Sequence, residues 1–282
     1  MPLDIFIVLM FILGLLVGSF LNVVIHRLPI MMEREWLAQC RLLLNTPEST
    51  EGADLVKYNF ILPRSACPHC LKQIRNLDNI PVISYLLLHG KCRDCNSPIS
   101  LRYPLIELIS AILTALIAWH FNFEIKTFFA VFLTWALLCL TVIDIDKQLL
   151  PDNITLPFLW LGLACSIFNM FTDPVSGLIG AMLGYSVLWT IFILFKFLTG
   201  KEGMGYGDFK LLAMLGAWTG WQMLPLIILL ASVLGSMAGV GLMVFRKHGY
   251  DRPIPFGPYL ALSGWIALLW GSDINRLYLS LM

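Results

Sequence analysis

Long apolar runs recur along almost the whole of this 282-residue chain, over residues 3–25, 104–122, 127–144, 153–171, 175–198, 209–224, 225–245 and 256–271. About 20 apolar residues cross the roughly 30 Å hydrocarbon layer as a helix. Inside that layer only helices and closed barrels satisfy every backbone N–H and C=O. Charged residues make up 13% of the chain, against about 25% in soluble domains. The runs predict an all-α polytopic membrane protein with about eight transmembrane helices set in the lipid bilayer. The 209–224 and 256–271 runs are short for a straight span, so one of them could be tilted, broken or re-entrant. Leu224-Pro225 is the only obvious break between two neighbouring runs, which leaves a count of seven open. The net charge of +1 gives no field that would attract nucleic acid. Asp4 is the only charge before His26, so the first run reads as a retained helix rather than a cleaved signal.

The polar segment between the first two runs, 26–103, carries ten Lys and Arg, and the positive-inside rule places it in the cytoplasm. Alternation then puts 144–152, 196–208 and 246–252 on the same side. With the adjacent Lys210, seventeen of the nineteen Lys and Arg fall inside, and Lys126 and Arg276 are the exceptions. The expected organisation is a first transmembrane helix over 1–25, a cytoplasmic domain over 26–103 and a membrane core over 104–282.

Two acids stand where such a chain should least want them. Asp144 ends the run AVFLTWALLCLTVID (130–144), and Asp208 follows the turn GMGYG (203–207). A carboxylate in hydrocarbon costs about 2.5–3.5 kcal/mol at a helix centre on insertion scales, and such residues are functional candidates by default. Asp144 lies at a helix C-terminus, where the macrodipole disfavours it. Its bland alternative is a boundary acid paired with Lys147. Asp208 could be an N-cap of the next helix, but Gly203, Gly205 and Gly207 before it would permit positive φ and close backbone approach. The alternation brings both acids to the cytoplasmic edge. Two carboxylates close together share a proton, so one can act as base toward water and the other as acid toward a carbonyl. That is aspartic-protease chemistry. Asp146 would face elsewhere on a helix and is either a solvated loop acid or an accessory group. Asp152, after Pro151, reads as an N-cap.

Cys67-Pro-His-Cys70 and Cys92-Arg-Asp-Cys95 form two C-x2-C pairs 21 residues apart, close to the zinc-ribbon spacing. Cys67, Cys70, Cys92 and Cys95 would hold a structural Zn2+ in a small loop domain with few apolar residues of its own. His69 reads as a non-ligand. Cys40, Cys139 and Cys165 read as small buried residues. His26, His89, His120 and His248 read as surface or interface positions. Residues 253–258, PIPFGP, read either as a plain loop or as a wall of the cleft holding the acids.

The ordered set GSFLNVVIHRLP (18–29), RSACPHC (64–70), CRDC (92–95), RYPLIEL (102–108), DIDKQLLPD (144–152), GKEGMGYGDFKLLAMLGAW (200–218) and PIPFGPYLALSG (253–264) resembles the type IV prepilin peptidases. These are the bifunctional leader peptidases and N-methyltransferases of bacterial inner membranes. The resemblance implies that Asp144 and Asp208 are the catalytic pair. It implies cleavage of type IV prepilins and type II secretion pseudopilins after a glycine at the cytoplasmic side, then methylation of the new N-terminus, usually phenylalanine. S-adenosylmethionine is the implied methyl donor, and its site is not legible: no G-x-G-x-x-G follows a strand. The cytoplasmic loop and the motifs beside it are the expected place.

Other readings share parts of the pattern. An intramembrane protease of the presenilin or signal-peptide-peptidase type has the G-x-G-D turn but gives no reason for four cysteines. A proton-coupled transporter would use the acids as relays, but repeat symmetry of the kind transporters carry is not evident. A zinc-clipped scaffold without activity is the third.

Overall fold

The computed structural model describes residues 2–44, 58–75, 78, 80–201, 203–245 and 255–280. Among them the chain is helical throughout its regular structure, and each of the eight apolar runs falls on a helix of its own, although the helices in 153–171 and 209–224 end early, at Ile167 and Thr219. His248, Lys57, Arg246, Lys247, Arg252 and residues 253–254 lie outside the described residues. Five helical segments are long and apolar enough to cross a membrane: Leu3–Leu43, Arg102–Phe121, Ile125–Lys147, Pro174–Thr199 and Trp221–Gly241. The protein is therefore multi-pass, but the expected eight spans are not all reached at full length. Two of the remaining helices have only 16 and 14 residues. The last, 24 residues long, is diluted by Gly, Ser and Trp.

The chain divides into two compact units, Met1–Phe123 and Glu124–Met282. The boundaries expected at 25 and 103 do not mark this division. In the first unit α1 (Leu3–Leu43) packs along α3 (Arg102–Phe121), with the five-residue α2 (Ile83–Leu87) between them in sequence. The pairing follows from a small-xxx-small pattern, which lets two helix backbones approach. A Cβ on Gly14 would lie 2.6 Å from the Ala111 Cα, and one on Gly18 would lie 2.7 Å from the Glu107 Cα. No break occurs at residue 25: α1 runs on for 41 residues, about 60 Å at 1.5 Å per residue. Pro29 lies within it, as proline can in a membrane helix whose freed carbonyl finds another partner. The extension past Pro29 leaves Cys40 exposed rather than buried, whereas Cys139 and Cys165 are buried.

The second unit contains α4 (Ile125–Lys147), α5 (Asp152–Ile167), α6 (Pro174–Thr199), α7 (Tyr206–Thr219), a single 3-10 turn (Trp221–Met223), α8 (Leu224–Phe245) and α9 (Gly257–Ser280). Its centre is α7, which packs against α5, α6 and α9. From Leu211 to Trp218 every residue of α7 is buried. A helix apolar on all sides belongs inside a protein, and this explains how a 14-residue segment replaces an expected span. Lipid tails are as apolar as leucine, so close packing rather than escape from water holds such helices together. On α6, Gly180 abuts Gly216 of α7 so closely that a Cβ would stand 2.3 Å from the Gly216 carbonyl oxygen. Trp218 donates from Nε1 to the Phe158 carbonyl of α5 at 2.8 Å, and Trp265 of α9 donates to Thr134 Oγ1 of α4 at 3.1 Å.

Candidate active site and metal centre

Asp144 and Asp208 come together in the second unit. Asp144 lies in the last turn of α4 and is 5% exposed; Asp208 lies in the first turn of α7 and is 8% exposed. Their charges are within Coulombic reach of each other. Neither forms an ion pair among the described residues, so the alternative of Asp144 neutralised by Lys147 is not what the structure contains.

Local helix chemistry fixes each acid. Gly205, not Asp208, is the N-cap of α7, at φ −84° and ψ 150°. Asp208 stands at the third helical position and its carboxylate accepts from the Gly205 amide, as the acidic member of a capping box does. The N-terminal end of the macrodipole favours an anion there. The three glycines before it do not adopt the expected positive φ. Two of them serve the close approach that glycine also permits: a Cβ on Gly207 would lie 2.8 Å from Leu150 Cβ, and one on Gly203 would lie 2.8 Å from the Phe195 ring, whereas Gly205 has open space around it. Asp144 accepts from the Gly257 amide at the start of α9. A Cβ on Gly257 would come within 2.5 Å of Asp144 Oδ2. The PIPFGP segment therefore touches Asp144 through Gly257, in line with the cleft-wall alternative. Leu150 lies against both Gly207 and Gly257.

Asp146 is exposed, and its neighbour Lys147 is too. Asp152 is the first residue of α5, one place past the N-cap Pro151. It binds Lys210 of α7 at 2.6 and 2.8 Å. The Asp152–Lys210 pair, which the spacing of the chain did not single out, ties the start of α5 to the helix that carries Asp208.

In the first unit the Sγ atoms of Cys67, Cys70, Cys92 and Cys95 all lie within 4.8 Å of one another, and Cys67 and Cys95 are 3.8 Å apart. Four thiolates at about 2.3 Å from one ion form a tetrahedron with edges near 3.8 Å, so the set fits Zn2+. The Cys70 amide, then the His69 amide, push the Cys67 thiol down to about 6. The Ser97 hydroxyl lowers Cys95. Both effects favour the thiolates a metal needs. His69 is outside the cluster.

The metal segment is a duplicated turn. Cys67 and Cys92 donate their amides to the carbonyls of Lys72 and Ser97, and Leu71 and Asn96 donate to the carbonyls of Cys67 and Cys92. Ile74 and Ile99 bond back to Ser65 and Gly90. Leu71 and Asn96 share positive φ, 59° and 55°. Every bond repeats 25 residues later, a period that can be read by sliding ACPHCLKQI onto KCRDCNSPI.

Two family models match the chain. The Bacterial Peptidase A24 N-terminal domain covers residues 12–121, and the Type IV leader peptidase family covers residues 131–240. One match falls in each compact unit. The chain is similar to the prepilin leader peptidase/N-methyltransferase of Aeromonas hydrophila, 55% identical over 272 residues covering 96% of this chain and 93% of the relative. That of Pseudomonas aeruginosa is 55% identical over 274 residues, 97% of this chain and 93% of the relative. That of Dichelobacter nodosus is 47% identical over 280 residues, 98% and 95%. No solved structure matches.

Proposed function

This chain belongs to the type IV leader peptidase family, and we propose that it is a membrane aspartic endopeptidase with a second, methyl-transferring activity. Its substrates are type IV prepilins and type II secretion pseudopilins. It removes their basic leader after a glycine and methylates the new amino terminus, usually phenylalanine, from S-adenosylmethionine. The work serves type IV pilus biogenesis and type II secretion.

The observation that carries the cleavage half is the juxtaposition of Asp144 and Asp208, both buried and unpaired with cations. We assign both as catalytic. Two such carboxylates hold one proton between them. The ionised acid takes a proton from water as the water oxygen attacks the scissile carbonyl carbon. The protonated acid hydrogen-bonds to the carbonyl oxygen as it becomes negative. Collapse breaks the C–N bond, and the leaving nitrogen takes a proton from the pair. The Gly205 and Gly257 amides hold the two carboxylates in place. The distribution of Lys and Arg supports an orientation with the acids at the cytoplasmic edge, and the bacterial relatives support an inner-membrane location. Within the cytoplasmic domain, expected over 26–103, the four cysteines would hold a structural Zn2+, which closes the polar segment around them. The peptidase core lies within 104–282.

The test uses detergent-purified protein, a prepilin and S-adenosylmethionine, with product mass as the readout. Wild type should lose the leader and gain one methyl. Asp144→Asn and Asp208→Asn should each abolish cleavage. A variant that still cleaves removes that acid from the catalytic pair, and a wild type that leaves prepilins intact removes the peptidase function.

A further inference from the structure

The first unit encloses a cavity of about 590 Å3 between α1, the 58–100 segment and the start of α3, within the range of small-molecule sites. Two charged side chains buried to more than nine-tenths line it, Arg27 and Glu107. Arg27 is committed: it donates to the carbonyls of Asn59 and Pro63 at 2.7 and 2.6 Å and lies over the Tyr58 ring. Glu107 is not neutralised. Its carboxylate accepts from the Val82 amide at 2.8 Å and from the Ser19 hydroxyl, and no cation pairs with it among the described residues. A carboxylate has room for about four hydrogen bonds, so acceptor capacity is left facing the cavity. Val82, which also lines it, sits at φ 57°. A β-branched residue there is strained, and such strain persists where surrounding structure enforces it, often at functional sites. Asn22 uses its amide nitrogen on the Gly18 and Tyr103 carbonyls, which leaves Oδ1 as an acceptor.

We propose that this cavity is the methyl-transfer site, that it takes S-adenosylmethionine and the new N-terminal amine, and that Glu107 is its catalytic base. This rests on the methyl-transferring half of the function above. The donor's ammonium suits the free amide oxygen of Asn22, its carboxylate suits the basic side chains Lys72, Arg75 and Arg93 that also line the cavity, and the incoming amine suits the unneutralised Glu107. Its adenine suits the rings of Tyr58, Tyr85 and Tyr103. S-adenosylmethionine supplies the methyl group: the amine nitrogen forms a C–N bond as the C–S bond breaks, and a neutral thioether leaves. An α-ammonium group, with an ordinary pKa of about 7.7–8.0, must first lose a proton to expose its lone pair. Glu107 accepts the proton the nitrogen gives up. The four-cysteine turns hold the segment that brings Val82 and Tyr85 to the cavity.

The experiment uses the full-length protein in detergent and a pre-cleaved pilin peptide beginning with phenylalanine. Ultraviolet cross-linking of methyl-tritiated S-adenosylmethionine to wild type should label peptides within residues 19–107. Label confined to residues 124–282 overturns the proposal. Glu107→Gln should lose methyl transfer at saturating donor roughly a hundredfold or more, the usual worth of a general base, well beyond any weakening of donor binding. Glu107→Asp, which keeps an acid on a shorter arm, should retain more methyl transfer than Glu107→Gln. Unimpaired transfer by Glu107→Gln, or a loss matched by equal loss of donor binding, removes Glu107 as base and leaves the wider function standing. A wild type that neither binds the donor nor methylates the peptide removes the methyl-transfer function and this site with it.

Discussion

Glu107 in the first unit and the Asp144–Asp208 pair in the second are all buried, yet their surroundings are built differently. Glu107 takes its amide donor from an irregular segment, at the strained residue Val82. Asp208 takes its donor from the cap of its own helix, and Asp144 takes one from the opening residue of another. Irregular backbone has few partners of its own and needs an outside constraint, which four cysteines placed to hold a metal would supply in the first unit. Helix ends come with unpaired amides already aimed outward, so the second unit needs only that helices approach closely. A buried acid can thus be held by clipping a loop or by crowding helix termini, and each way should fail under a different attack.

Metal removal should separate the two units most. Structural zinc contributes about 10–16 kcal/mol in small zinc domains. A strong chelator should therefore open the 58–100 segment to proteolysis while Glu124–Met282 stays resistant, read by limited proteolysis with mass spectrometry. Equal resistance before and after chelation would show that the cysteines do not clip the segment. The reverse attack is Gly216→Val. Its side chain would meet the Gly180 carbonyl, where a Cβ alone stands 2.2 Å away. Backbone must move, so the second unit should lose about 3 kcal/mol or more while the ratio of bound metal to protein holds; thermal unfolding and metal analysis check both. Gly257→Ala is smaller and local. A methyl 2.5 Å from Asp144 Oδ2 must displace the carboxylate, so the cleavage rate should fall about tenfold or more, equivalent to about 1.4 kcal/mol, with prepilin binding little changed. Lys210→Met should matter least. The pair is part exposed, at 31% for Lys210 and 48% for Asp152, and pairs of this kind are worth about 0–1 kcal/mol. A larger loss of cleavage than of stability would mean that Lys210 positions Asp208 rather than merely joining two helices.

Much of this was legible in the chain because the informative residues violate their surroundings. Asp144 and Asp208 sit at the edges of apolar runs, and four cysteines in two tight pairs have little other reason to be spaced that way. The helices follow from the runs themselves. What stayed hidden was context. Glu107 sits inside the 104–122 run, where a single acid is averaged away among apolar neighbours. The continuation of α1 past Pro29 was hidden because a proline ring need not end a membrane helix. The fate of α7 was hidden because a short apolar run looks alike in lipid and in a protein interior. Glycines before Asp208 suggested unusual dihedrals or close approach; the partners of Gly207 and Gly203, Leu150 and Phe195, lie on other elements and could not be named from the turn itself.

The doubled turn around the cysteines behaves as a clasp with two ready-made jaws. Each jaw is closed by its own backbone bonds, 25 residues apart in register, and each brings two sulfurs. An ion gripped between them would be released by parting the jaws, with neither having to unravel. Exchange of the ion would then be a hinge motion, and the jaws would keep their shape to take up the next one.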